Sequence, residues 1–139
     1  MSIFTKDYPI KREIYKFKIA WFQFSTKKRM CHEYRYTLGE QLRKDVLDMS
    51  KLVNVGLRKR SKSAKLTCYD SALGLLDDIQ DNFNMLNDLQ VIDNETKARF
   101  DIMITGIERQ LSGLLNSLDK SRKEAERHDG DIEDGDTQN

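Results

Sequence analysis

The chain has few helix breakers, few cysteines and no long apolar run. Proline occurs once, at Pro9, and glycine occurs seven times, so little interrupts long helices. No run of about 18 apolar residues is present, which excludes a membrane-spanning helix. Residues 1–11 lack the apolar segment of a secretory signal. Cys31 and Cys68 are isolated thiols without CxxC spacing, so we expect a reduced, cytoplasmic setting.

Residues that commonly carry catalysis or bind metals are also scarce. There are two histidines, His32 and His128, and neither belongs to the Glu-x-x-His pattern of di-iron bundles. The neighbours Cys31, His32 and Glu33 have no second pair of ligands elsewhere, and adjacent residues rarely converge on one metal. No Gly-rich phosphate loop is present. We therefore predict a protein that is not an enzyme and has neither a metal nor another cofactor.

Apolar residues recur at steps of three and four in four segments, which is the spacing of amphipathic helices. The predicted helices cover residues 9–27, 37–59, 62–89 and 94 to beyond 121. Short connections between long helices favour antiparallel neighbours. The sequence therefore predicts an all-α, antiparallel up-and-down four-helix bundle over residues 1–127. The stretch 128–139 is acidic and nearly free of apolar residues, which predicts a disordered tail.

The same spacing predicts which side chains form the core. For the first helix they are Ile10, Ile14, Phe17, Trp21 and Phe24, on a face widened by Tyr15 and Phe22. For the second they are Leu38, Leu42, Val46, Met49 and Val53. For the third they are Ala64, Cys68, Ala72, Leu75, Ile79, Phe83 and Leu86. For the last they are Phe100, Ile104, Ile107, Leu111, Leu114 and Leu118.

The start of the second predicted helix has the pattern of a capping box. Thr37 supplies a hydroxyl cap, and Glu40 follows three residues later, where it can reach back to the backbone N–H of the cap. Gly39 lies in the first turn, where glycine is less favourable than alanine. A glycine at this position indicates that another part of the backbone comes close.

The charges are divided unevenly along the chain. Residues 1–70 contain 17 Lys and Arg against 7 Asp and Glu, whereas residues 71–139 contain 7 against 16. A strongly basic half favours a polyanionic partner. An equally good interpretation is that the two halves pair with each other, within one chain or between copies in an oligomer.

The basic residues fall into two clusters, each close to tyrosines. Basic side chains interleaved with aromatic ones are typical of single-stranded nucleic-acid binding, because bases stack while phosphates pair. The alternative is that the cations offset helix dipoles and the tyrosines cap the bundle. The candidate nucleic-acid-binding residues are Lys27, Lys28, Arg29, Arg35, Arg43, Lys44, Arg58, Lys59, Arg60, Lys62 and Lys65, and the neighbouring aromatics are Tyr34, Tyr36 and Tyr69. The helix cations that are candidates to join the two clusters are Lys16, Lys18, Arg43, Lys44 and Lys51.

Two short motifs resemble those of a known family of four-helix bundles. Arg35-Tyr36-Thr37-Leu38-Gly39 precedes a long helix, and the segment from Gly106 to Ser117 is similar to the family's final-helix pattern. The family comprises the accessory variability determinants of diversity-generating retroelements and the proteins encoded by intervening sequences of large-subunit ribosomal RNA genes. Leu114 and Asn116 stand where the family has tryptophan and lysine, and the proline that often precedes the first motif is missing.

The resemblance implies a homopentamer that forms a basic barrel. It also implies that the barrel binds a reverse transcriptase and nucleic acid, RNA or an RNA–DNA hybrid, during mutagenic copying, with no enzyme activity of its own. Gly113 matches the second glycine of the family motif, where a small residue allows close helix packing. The alternative function is an oligomeric protein-interaction scaffold of the ribosomal-RNA-insert type, with no nucleic-acid role.

Overall fold

The computed structural model describes residues 8–27 and 30–138, and describes side chains up to residue 119. The helices are α1 (Pro9–Ser25), α2 (His32–Arg35), α3 (Leu38–Arg58), α4 (Lys62–Asp88) and α5 (Asn94–Gln138). No strand occurs in these two ranges. α1 packs against α3 and α5, while α4 packs against α3 and α5. The all-α four-helix bundle predicted from the sequence is confirmed, with α2 as an additional short turn.

Five aromatic rings form the centre of the core. Trp21 is fully buried, with ring centroids 4.7 Å from Phe83 and 5.5 Å from Phe100. Phe17 and Phe24 complete the cluster from α1. These rings join α1, α4 and α5, so the longest-range contacts of the bundle are made by its bulkiest side chains. Aromatic pairs in such edge-on geometry add about 0.5–1.5 kcal/mol each beyond area burial.

The predicted core faces are largely confirmed, with two corrections. On α4 the buried residues include Tyr69 and Leu76, whereas Cys68 and Leu75 are only partly buried. Leu75 and Leu76 are adjacent and equally apolar, so spacing alone did not decide between them. On α1, Tyr15 points outward and is 61% exposed, although it was assigned to the core face.

Two helix starts have a side-chain capping contact, and a third has a proline in its first turn. Ser61 Oγ accepts a hydrogen bond from Ala64 N at 3.1 Å at the start of α4. Asp93 Oδ1 accepts a hydrogen bond from Thr96 N at 2.7 Å at the start of α5, which is the contact typical of an N-cap side chain. Pro9 occupies the first turn of α1, where its missing N–H has no intrahelical partner to lose. These contacts explain why the connections between α3, α4 and α5 are so short.

The predicted capping box at Thr37 is wrong. Thr37 is the residue before α3, but its side chain makes no capping bond. Its Oγ1 instead donates to Glu33 O at 3.0 Å, and the Glu40 side chain is exposed. The physical reason is α2, the helical turn that the sequence did not predict. It places a carbonyl four residues before Thr37, and the hydroxyl bonds backward to it.

α5 is much longer than the other helices. It has 45 residues against 27 in α4, so it measures about 68 Å against about 40 Å at 1.5 Å per residue. Among its side chains up to residue 119, the last fully buried one is Leu111 and the last apolar one packed against the core is Leu118. The helix continues to Gln138, through the segment 128–138 where we predicted a disordered tail. A domain boundary at residue 128 stays a prediction.

Candidate nucleic-acid interface

Charge is separated across the bundle because α1 and α3 come from the basic half, whereas α5 and most of α4 come from the acidic half. On α4 four aspartates follow each other at steps of seven, four and seven, and all four are exposed. They are Asp70, Asp77, Asp81 and Asp88. Such spacing places them on one stripe of the helix, away from the buried face. The side of the bundle formed by α1 and α3 is therefore the one that favours a polyanion.

The first basic cluster lies where α1 ends and α3 begins. Arg35 Nη2 donates to Met30 O at 3.1 Å. Arg43 Nη1 donates to Ser25 O at 3.3 Å, and its Nη2 donates to Arg35 O at 3.0 Å. These two guanidinium groups tie the connection between the helices together. Both arginines therefore have a structural role in this connection.

The remaining cations of this cluster are placed differently. Lys27 and Lys44 are exposed. Lys44 makes no hydrogen bond or ion pair within the part of the chain whose side chains are described. Lys28 and Arg29 lie outside the described residues. Of the predicted site residues described in this cluster, Lys27 and Lys44 therefore have uncommitted charges.

Gly39 has the close neighbour that its position in the first turn of α3 indicated. It is buried, and a Cβ added there would lie 3.0 Å from Tyr34 O and 2.9 Å from Met30 Cε. Met30 is itself completely buried. The glycine thus lets the connection fold back onto α3, which confirms the predicted approach of another backbone segment.

The second basic cluster lies at the opposite end of the bundle, around the α3–α4 turn. Lys65 Nζ donates to Gly56 O at 3.1 Å and to Leu57 O at 3.2 Å. It thereby satisfies carbonyls at the end of α3, where a cation also offsets the helix dipole. Arg58, Lys59, Arg60 and Lys62 are exposed. This cluster therefore contains one structural cation and four at the surface.

The three tyrosines predicted to accompany the cations differ in exposure. Tyr69 is only 2% exposed, and burial raises the pKa of its hydroxyl, with smaller contributions from Tyr8 and Cys68. Its ring lies against Gly56, where an added Cβ would be 2.7 Å from Tyr69 Cε1. Tyr34 is partly buried, and Tyr36 is 58% exposed, with the Arg35 guanidinium carbon 6.0 Å from its ring centroid. Tyr69 is therefore unable to stack on a base, whereas Tyr36 remains a candidate.

Several of the expected linking cations lie on one surface between the two clusters, which we call the α1–α3 face, together with exposed apolar residues that sequence reasoning missed. On α1 it consists of Lys11, Tyr15, Lys18 and Phe22, and on α3 of Lys44, Leu47, Lys51 and Arg58. Each set repeats at helical steps of three, four or seven, so each lies along one side of its helix. The Lys18 Nζ to Ser50 Oγ hydrogen bond of 3.1 Å crosses between the two helices beside these residues. The signal was present as a cation–aromatic alternation on α1, but Tyr15 and Phe22 were assigned to the core.

Lys16, one of the cations expected to join the clusters, lies elsewhere. It lines a cavity of about 570 Å³ between α1 and α5, together with Glu13, Asp101 and Arg109. Two carboxylates beside two cations give this cavity no preference for phosphate. Lys18, Lys44 and Lys51 are the expected linking cations that the structure brings to the α1–α3 face.

Gly113 does not have the close packing that the motif implies. It is exposed, and a Cβ added there would have no neighbouring heavy atom within 4 Å. Within one chain, the residue serves no close helix contact. The physical reason is its position on the outer side of α5, since Leu111, Leu114 and Leu118 occupy the side that packs against the core.

The described part of the chain has neither a metal-binding cluster nor a membrane-spanning helix. No group of three or more His, Cys, Asp or Glu side chains there is arranged to hold a metal ion. None of the helices described combines the length and apolar character that crossing a membrane requires.

No protein-family profile matches the chain, and no curated protein matches it significantly.

Proposed function

We propose that the protein is a non-enzymatic, nucleic-acid-binding accessory factor. Its basic half binds RNA, or an RNA–DNA hybrid, and presents it to a reverse transcriptase during mutagenic copying in a diversity-generating retroelement. The observation that carries the binding proposal is the position of the cations. Exposed basic residues at both ends of the bundle are joined by the α1–α3 face, while an aspartate stripe occupies α4. Phosphate contacts by such cations supply most of sequence-independent binding.

The partner and the assembly state in this proposal come from the family resemblance. The motif Arg35–Gly39 and the segment Gly106–Ser117 support a homopentamer in the cytoplasm that associates with a reverse transcriptase. Leu114 and Asn116 replace the tryptophan and lysine of the family motif, so any subunit contact made through that segment differs from the family's. Leu114 is partly buried against the core of its own chain, and Asn116 is exposed.

One observation favours a second function, an oligomeric scaffold without nucleic acid. The aspartate stripe of α4 complements the cations of the α1–α3 face, so copies of the chain have surfaces that attract each other. Such an assembly would dissociate as salt rises and would ignore RNA. The two functions therefore differ in their response to RNA. The accessory factor binds RNA, whereas the scaffold does not, and adding RNA leaves its oligomer unchanged.

Charge reversal distinguishes the two. We would measure binding of labelled single-stranded RNA to wild type and to the variant Arg58→Glu, Lys59→Glu, Arg60→Glu. The matched control reverses three exposed cations on the α1–α5 side, Lys16, Arg99 and Arg109, and so has the same net charge. We expect the first variant to lose most of its affinity and the control to stay closer to wild type. Equal loss in both variants would mean that total charge alone governs binding, which contradicts a basic-face site.

A further inference from the structure

We propose that the α1–α3 face binds single-stranded RNA with an unpaired base stacked on Tyr15 and phosphates paired with lysines on either side. This inference rests on the proposed function and specifies its ligand and its contact residues. Bases stack on exposed aromatic rings in single-strand-binding proteins, and each stack is worth about 1–3 kcal/mol. Three features of the face favour this binding mode: the exposed ring, the fixed cation beside it and the free cations opposite.

The exposed ring is Tyr15. At 61% exposure it is among the most exposed large apolar side chains described, although it lies midway along α1. Nothing in the core requires an aromatic residue there, because the buried face of α1 is formed by Ile10, Ile14, Phe17 and Trp21. Phe22, seven residues further on, lies about 10 Å along the helix axis on the same side and is half-buried.

The fixed cation is Lys18. Its Nζ lies 5.8 Å from the centroid of the Tyr15 ring and is held at 3.1 Å by Ser50 Oγ on α3. A cation at this distance lies within the range of a cation–π contact. The hydrogen bond to α3 limits the freedom of a side chain that is otherwise flexible. A phosphate adjoining a base stacked on Tyr15 would thus meet an ammonium group that is already positioned.

The free cations are on α3. Lys44 and Lys51 are exposed and make no hydrogen bond or ion pair with any side chain or backbone group described. Leu47 lies between them and is 48% exposed, which adds an apolar contact for a base or sugar. Lys44, Lys51 and Arg58 are spaced by seven residues, about 10 Å along the helix. The face thus has a row of positive charges about 20 Å long opposite the aromatic row of α1.

The acidic residues of these helices leave most of the face positive. Glu13 lies on the α5 side of α1, where its carboxylate is the nearest group to Gly106. Asp45 is buried and accepts a hydrogen bond from Gln41 Nε2 at 2.9 Å. Glu40 and Asp48 are exposed one turn from Lys44, and Asp48 is also one turn from Lys51, so the phosphate contacts should be strongest toward Arg58. That end leads directly into the exposed cluster of the α3–α4 turn.

Stacking on Tyr15 predicts selectivity for single strands. A base in an A-form duplex has both of its faces covered by neighbouring bases and is unavailable to a protein ring. Phosphate contacts alone would accept either form. The preference for single-stranded over duplex RNA should therefore depend on the aromatic ring, whereas overall affinity should depend on the lysines.

The first test replaces Tyr15. We would measure binding of a labelled uridine oligomer of about 12 nucleotides, single-stranded or annealed to its complement, to wild type, Tyr15→Leu and Tyr15→Phe. We expect Tyr15→Leu to bind the single strand about 5- to 150-fold more weakly, with duplex binding unchanged, and Tyr15→Phe to stay close to wild type. Because Tyr15 is exposed, the fold should be retained, and fluorescence of the buried Trp21 checks this.

The second test compares two charge reversals, Lys51→Glu on the face and Arg109→Glu on α5. Both change net charge equally, and only the first should lower single-strand affinity strongly and reduce the magnitude of the salt slope by about 0.7. Tight single-strand binding that is unaffected by Tyr15→Leu and Lys51→Glu would overturn this inference and leave the proposed function intact. Equal losses on single strand and duplex in Tyr15→Leu would overturn stacking. No binding by wild type would overturn both.

Discussion

The glycines of α3, α4 and α5 allow the packing of the bundle to be tested quantitatively. Gly56 lies inside α3 and is buried at the contact with α4. A Cβ added there would be 2.7 Å from Tyr69 Cε1 and 2.9 Å from Cys68 Cβ. The second contact is decisive, because a Cβ atom is fixed to its backbone and has no rotamer in which to retreat. Gly56→Ala therefore requires α3 and α4 to move apart.

The magnitude follows from two opposing effects. Alanine is favoured over glycine in a helix interior by about 1 kcal/mol. Overpacking a close-packed core costs about 1–3 kcal/mol, and we expect the upper part of that range because backbone must shift. The free energy of unfolding should therefore fall by about 1–2 kcal/mol in Gly56→Ala, which corresponds to a decrease in Tm of about 4–8 °C.

Two other glycines provide controls in which only the helix-propensity effect remains. Gly74 in α4 and Gly113 in α5 have no heavy atom within 4 Å of an added Cβ, and both are exposed. Gly74→Ala and Gly113→Ala should each raise the free energy of unfolding, by up to about 1 kcal/mol. Urea and thermal unfolding followed by Trp21 fluorescence would measure all three variants. A Gly56→Ala protein as stable as Gly74→Ala would refute the packing described for α3 and α4.

Three further predictions concern helix ends and titration. Gln90 has a left-handed φ of 62° at the end of α4, where Val91 N donates to Leu86 O at 2.9 Å. Because glycine adopts this φ without the steric cost of a Cβ atom, Gln90→Gly should raise the free energy of unfolding by about 1 kcal/mol. Urea denaturation would measure the change. The hydrogen bond from Thr96 N lowers the pKa of Asp93, so the ionised carboxylate stabilises the fold above the ordinary pKa of 3.8 and this stabilisation is lost as pH falls. Unfolding curves from pH 7 to pH 2 should show the stability difference between wild type and Asp93→Ala vanishing in acid. Burial raises the pKa of Tyr69, so stability should decline as pH rises above the ordinary value of 10.0; Tyr69→Phe should lack this decline in melts taken across alkaline pH.

The four long helices were predictable because each has an apolar repeat long enough to define its period. The details that failed depend on contacts between distant parts of the chain. Thr37 fits a capping box locally, but α2 offers its hydroxyl another acceptor. Tyr15 is apolar and close to the core stripe, yet the face of α1 that fits between α3 and α5 is too narrow to include it.

The sequence predicted which basic residues cluster in the candidate site, but not which of them bond to the backbone and which stay free to contact a ligand. Arg43 and Lys65 were counted as candidates for phosphate contact, but both donate to backbone carbonyls of distant residues. No pattern in the sequence distinguishes such a cation from Lys44 or Lys51, because the carbonyls it satisfies come from another helix end. The partition between structural and free cations therefore appears only once the helices are packed.

The most direct test of the account is the affinity of the purified protein for single-stranded RNA across a salt series. If the basic half contacts phosphates, the logarithm of the binding constant should fall linearly with the logarithm of salt concentration. Each phosphate contacted by the protein contributes about −0.7 to the slope. Three or more contacts along the α1–α3 face predict a slope of about −2 or steeper. A slope near zero, or no binding at low salt, would contradict nucleic-acid binding by the basic half of this bundle.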